Sequence, residues 1–137
     1  MRLLDASVLV AAITPEARSR EALSLLDGSP LVINGLAWAE TRVAVIRKCK
    51  LGFLNASERD RALDVLARIL AEGQVGKVPH VETWWDEAAS VASRVRIALR
   101  TQDAYHAACA LALKAQLATF DADLADAARE LGLTVLP

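Results

Sequence analysis

A chain of 137 residues with 54% hydrophobic but only 4% aromatic residues has the apolar mass for one domain with an aliphatic, alanine-rich core and needs no disulfides. Sixteen Lys and Arg against 17 Asp and Glu give a formal net charge of −1, which excludes the strongly basic footprint usual for nucleic-acid binders, though not a nucleic-acid substrate held at a cation-loaded acidic pocket. Cys49 and Cys109 lack metal-ligand spacing and read as small hydrophobes of a reduced, cytoplasmic protein, and neither a secretory leader nor a membrane span is expected.

The run Arg2 to Asp5 predicts a strand, followed by a helix to about Ile13. In "TPEARSREALSLL", Thr14 is suited to cap the next helix and Pro15 to open it. Gly28 and Pro30 end that helix before a short strand at 31–33. A helix is expected from about Gly35 to Lys48. Another covers "NASERDRALDVLARILAEG", with Ser57 as its cap and Gly73 at its end. "VGKV" follows as a short strand or linker. "VETWWDEAASVASRVRIALR" predicts one helix and "TQDAYHAACALALKA" another. "QLATF" reads as a strand, "DADLADAARELG" as a helix stopped by Gly132, and "LTV" as the last strand. No repeat or linker divides the chain, so residues 1–137 are expected to form one domain. Strands alternating with helices predict an α/β fold with a mainly parallel central sheet. In such sheets, ligands gather at the carboxyl ends of the strands.

Four acids stand at such places. Asp5 ends the first strand and Asp121 follows the strand "LATF". Asp103 lies in the first turn of its helix. Each of these three has a plain alternative role as a helix cap, worth about 0.3–1 kcal/mol. Glu40 has no such explanation. Its neighbours one turn away are Leu36, Ala37, Val43 and Ala44, so no cation shares its helical face. Carboxylates gathered a few ångströms apart stay ionised only around a cation. An all-oxygen donor set favours Mg²⁺ or Mn²⁺ over zinc, and such sites serve phosphodiester or phosphoryl transfer.

The stretches "LLDASVLVAA", "AWAETRVAVIRK", "TQDAYHAACAL" and "LATFDADLADAARELGLTV", in that order, resemble the four signature blocks of the PIN-domain ribonucleases. Length and block order are most similar to the VapC-type toxins of toxin–antitoxin pairs. The resemblance implies a three-layer sandwich of helices around the central sheet and a Mg²⁺-dependent (or Mn²⁺-dependent) endoribonuclease that cuts RNA, often structured RNA such as tRNA. It also implies a homodimer and a cognate antitoxin whose C-terminal segment blocks the site. Its acids fall on Asp5, Glu40, Asp103 and Asp121. Ser7 and Thr119 match small hydroxyl positions that orient a ligating carboxylate. Asp123 is a candidate fifth acid, ranked lower because i and i+2 diverge on a helix.

Among the remaining residues, Arg96 and Arg100, within "RVRIALR", are candidate RNA-phosphate contacts because they lead into the block around Asp103. Arg42, Arg47, Lys48 and Lys50 follow Glu40 in the same way. Arg18 and Arg20 are expected on the surface, His80 in a surface loop and Trp38 in packing, while Trp84 and Trp85 are candidates to stack on bases, with at least one of them expected against the core or a partner helix. His106, three residues after Asp103, is read as a polar group at the edge of the site and left outside the catalytic set. Two other functions compete with the nuclease. One is phosphotransfer through an aspartyl-phosphate on Asp5, against which "DASVL" lacks a second aspartate two positions on. The other is a non-catalytic PIN-like module for RNA binding or protein interaction, which would show no carboxylate-dependent metal binding.

Overall fold

Strands of two or three residues suffice here because the three central ones are largely buried between helices. In the computed structural model, which describes residues 1–137, the elements in chain order are β1 (Arg2–Leu4), α1 (Ala6–Ile13), α2 (Ser19–Ser24), β2 (Leu31–Ile33), α3 (Gly35–Lys50), α4 (Ala56–Ala71), β3 (Val75–Lys77), α5 (Thr83–Arg94), α6 (Thr101–Leu113), β4 (Gln116–Ala118), α7 (Ala122–Glu130) and β5 (Val135–Leu136). All strand pairings are parallel, in the order β3-β2-β1-β4-β5. The protein is therefore an α/β sandwich of three layers.

Successive strand residues point to opposite faces, so adjacent apolar residues feed different cores. Leu3 and Leu117 pack with Val91, Tyr105, Ala108 and Leu124 of α5, α6 and α7. Leu4, Ile33 and Ala118 face the other way, onto Val8, Leu9, Ala22 and Ala37 of α1, α2 and α3. Both leucines of β1 are fully buried. The register pairs Leu4 with Ala118, which sets Asp5 beside Thr119 as the two chains leave the sheet. From central β1 the chain builds one side of the sheet, then crosses to build the other. Such a reversal leaves a crevice beyond the carboxyl ends of the strands.

Several expected boundaries are corrected. Thr14 closes α1 instead of opening α2: its N–H and hydroxyl both donate to the Val10 carbonyl, at 2.9 and 2.8 Å. With Thr14 so engaged, α2 begins only at Ser19. The cap of α4 is Asn55, not Ser57. Asn55 accepts from Glu58 N–H at 2.9 Å while Glu58 accepts from Asn55 N–H at 2.7 Å, a reciprocal box that satisfies two end donors. The helix expected over 81–100 stops short at Arg94, because Val95 turns extended (φ −113°, ψ 154°) and Arg96 N–H donates to Glu130 at 3.0 Å. "VGKV" does form a strand at the sheet edge. One apolar band stays uncovered, on α3 and the loop after it: Val43, Leu51 and Phe53 are 63%, 59% and 72% exposed.

Candidate metal centre

Asp5 follows β1 directly and caps α1. Its Oδ2 accepts three hydrogen bonds, from Ser7 N–H at 3.2 Å, Ser7 Oγ at 2.5 Å and Thr119 Oγ1 at 2.9 Å. Each hydroxyl also accepts from the backbone beyond β4. Phe120 N–H donates to Ser7 Oγ at 2.9 Å, and Asp121 N–H to Thr119 Oγ1 at 3.0 Å. The two hydroxyls therefore tie the end of β1 to the end of β4. Asp121 then caps α7, its Oδ1 accepting from Leu124 N–H at 3.0 Å. Asp5 Oδ1 is left turned towards His106, whose Nε2 lies 3.7 Å away.

The second half of the cluster hangs from β2. Asn34 ends that strand and caps α3, its Oδ1 accepting from Ala37 N–H at 2.8 Å. Its Nδ2 meets His106 Nδ1 at 3.0 Å. On the far side of the ring, His106 Nε2 lies 2.8 Å from Glu40 Oε2. Asn34 and His106 are each 1% exposed. One ligand atom from each of Asp5, Glu40 and His106 falls within 4.8 Å of the other two. Burial works against a charge on His106, but the Glu40 hydrogen bond and the charges of Asp5, Glu40 and Asp103 outweigh it and raise its pKa.

Asp103 stands one turn before His106 on α6 and is half-buried. Burial holds its carboxyl above the ordinary carboxylate range, and the charge of Asp121 adds to this. Arg100 and His106 pull it down in part, and Asp5 pushes it up again. Asp103 therefore feels both acids that flank the β1–β4 junction. This donor set fits a hard divalent cation. Asp5 Oδ1, the second oxygens of Glu40 and Asp121, and the carboxyl of Asp103 could supply oxygen ligands, and the repulsion that raises Asp103 is what a cation would relieve.

Ser7 and Thr119 contact the carboxylate they were expected to orient. Asp123 is exposed on the first turn of α7. The expected phosphate contacts divide. Arg100 immediately precedes α6 and its charge acts on Asp103. Arg96 is paired with Glu130 at 3.2 Å, at the other end of α7 from Asp121. The reading of the sequence missed Asn34 and set His106 aside. Asn34 was open to notice, because it follows β2 as Asp5 follows β1. His106 had its i, i+3 spacing from Asp103 as its only signal.

Two openings border the cluster. A cavity of about 430 Å³ is lined by Ser7, Glu16, Arg18, Glu40 and Phe120, among others. At its mouth the Arg18 guanidinium lies 3.6 Å from the centre of the Phe120 ring. A cleft of about 490 Å³ runs along α3, between Glu40, Val43, Arg47, Lys48, Leu51 and Phe53. Glu40 lines both.

The PIN domain model matches residues 2–130. No curated protein matches the chain. Among solved structures, the fold is similar to that of Mycobacterium tuberculosis VapC20, described as a sarcin–ricin loop cleaving toxin (TM-score 0.76, 20% identity, all of both chains). It is similar also to FitAcB from Neisseria gonorrhoeae (0.67, 21%, all of this chain and 97% of that one). A third is VapBC2 from Rickettsia felis, bound to a DNA fragment from their promoter (0.66, 16%, 98% and 96%).

Proposed function

The chain belongs to the PIN-domain family, and from that premise we propose that it is a metal-dependent endoribonuclease, the toxin of a toxin–antitoxin pair. The reading rests on one observation above the rest: Asp5, Glu40 and His106 meet at the carboxyl edge of the sheet, with Asp103 electrostatically tied to Asp5 and Asp121. In this proposal Asp5, Glu40, Asp103 and Asp121 hold Mg²⁺ or Mn²⁺. When bound, the cation supplies Lewis-acid charge for a phosphodiester and favours deprotonation of an attacking water. Ser7 and Thr119 fix Asp5 so that Oδ1 faces the substrate side. Arg100 steadies the acids and offers a positive charge to RNA phosphate. A fold shared with a toxin that cleaves the sarcin–ricin loop and with VapBC2 supports an RNA substrate and a protein antitoxin as partner. A homodimer and a cytoplasmic setting complete the proposal. Both protein partners call for exposed apolar surface, which the band on α3 provides.

The test is incubation of the purified protein with total RNA, in Mg²⁺ or Mn²⁺ and in EDTA, beside Asp5→Asn. Metal-dependent fragments that disappear in the variant are the expected result. Intact RNA with no metal binding by a folded protein would sink the reading, and Asp5 would remain only a helix cap.

A further inference from the structure

His106 lies close enough to Asp5 and Glu40 to count as a third ligand by distance alone. Asn34 argues against that. Its Oδ1 is held by Ala37 N–H, and turning the amide over would set two donors face to face. The amide nitrogen must therefore point at His106 Nδ1, which needs a lone pair there. The ring hydrogen is then on Nε2, aimed at Glu40 Oε2.

We propose that Asn34 and His106 are positioning residues for Glu40. Asn34 fixes the ring so that Nε2 always donates, His106 holds Glu40 Oε2, and the other Glu40 oxygen is presented to the cation beside Asp5 Oδ1. His106 is thereby kept out of the ligand set, which stays all-oxygen and suited to a hard cation rather than to zinc. The cap of α3 and the orientation of a metal-facing carboxylate become one device, since the same Asn34 amide serves both. The inference rests on the metal-dependent reading of the acid cluster.

Two spectroscopic measurements on the full chain test it. In the metal-free protein, two-bond ¹H–¹⁵N spectra report which ring nitrogen carries hydrogen, with the His106 signals identified by their loss in His106→Gln. The expected result is a bare Nδ1 and a hydrogen on Nε2. Asn34→Asp keeps an oxygen for the α3 cap but offers Nδ1 an acceptor, and should place a hydrogen there. In the Mn²⁺-loaded protein, pulsed electron paramagnetic resonance should show no directly coordinated nitrogen. His106→Gln, which can still donate to Glu40, should keep Mn²⁺ affinity within about threefold, whereas His106→Leu, folded by circular dichroism, should lose about 10–100-fold. A coordinated nitrogen that vanishes in His106→Gln, a hydrogen on Nδ1 of the parent protein, or equal losses in the two variants would overturn this inference and leave the nuclease reading intact. Absence of carboxylate-dependent Mn²⁺ binding would overturn both.

Discussion

At Asp5 the two carboxylate oxygens are told apart by their neighbours. Three donors hold Oδ2, while Oδ1 faces His106 beyond hydrogen-bond distance. An asparagine can seat its carbonyl oxygen among those donors and turn its amide outwards. Asp5→Asn should therefore fold and still fail to hold a cation, which makes it a sound control for the RNA assay. Thr119 is different, because its hydroxyl both donates to Asp5 and accepts from Asp121 N–H. Thr119→Val should lower unfolding stability by about 1–2 kcal/mol in a denaturant titration, since it leaves a part-buried N–H unpaired and removes a bond to a charged group. At Asp103 the sign runs the other way. Its native carboxyl is held above 3.8 by burial and by Asp121, so the folded chain binds that proton more readily than the unfolded one. The Asp103 contribution to the stability of the metal-free protein falls as pH rises from the ordinary carboxylate range through the raised native value. Thermal melts in EDTA should show a smaller fall for Asp103→Asn and a higher melting temperature at neutral pH. Mn²⁺ should stabilise the parent protein more than the variant.

At the scale of elements, α6 is the helix most constrained by its surroundings. Seven consecutive residues, Ala104 to Ala110, are buried, and five of them are alanine or cysteine, so the helix sits close against α5 and the sheet. Ala107→Leu adds volume at a fully buried position and should cost about 1–3 kcal/mol, read from the shift in denaturant midpoint. The run of small residues also explains how far the sequence could be read. The strand–helix alternation was legible because apolar runs were separated by Gly, Pro and polar residues. Asn55 carried the capping-box spacing to Glu58, but two other boundaries that failed lacked a decisive local signal. Thr14 is a good cap in isolation, but burial at the end of α1 commits its hydroxyl to Val10. Val95 leaves the helical path with no Gly or Pro to mark it, where Arg96 meets Glu130 at 34 residues' separation. The four acids stood out because each ends a strand, opens a helix or interrupts an apolar helical face. His106 did not, and the place of Asn34 after β2 gave no hint of its partner, because their pairing spans 72 residues.

For the whole molecule, the sheet order decides where chemistry can happen. Central β1 and its neighbour β4 deliver Asp5, Thr119 and Asp121 to one edge, β2 brings Asn34 and α3, and α6 closes the gap with Asp103 and His106. The apolar band on α3 lies outside this arrangement and has no role in packing the single chain. Phe53→Glu should therefore leave the melting temperature nearly unchanged while shifting the proposed dimer towards monomer in sedimentation velocity. An unchanged dimer would place the contact between copies elsewhere. Glu40 joins the band to the acidic edge, since its side chain belongs to the cleft along α3 as well as to the cluster around His106. A protein seated in that cleft would rest against a carboxylate that the proposed function assigns to the cation. Under the proposed function, attachment and silencing would be the same event for such a partner, and activity would return only as fast as the partner lets go.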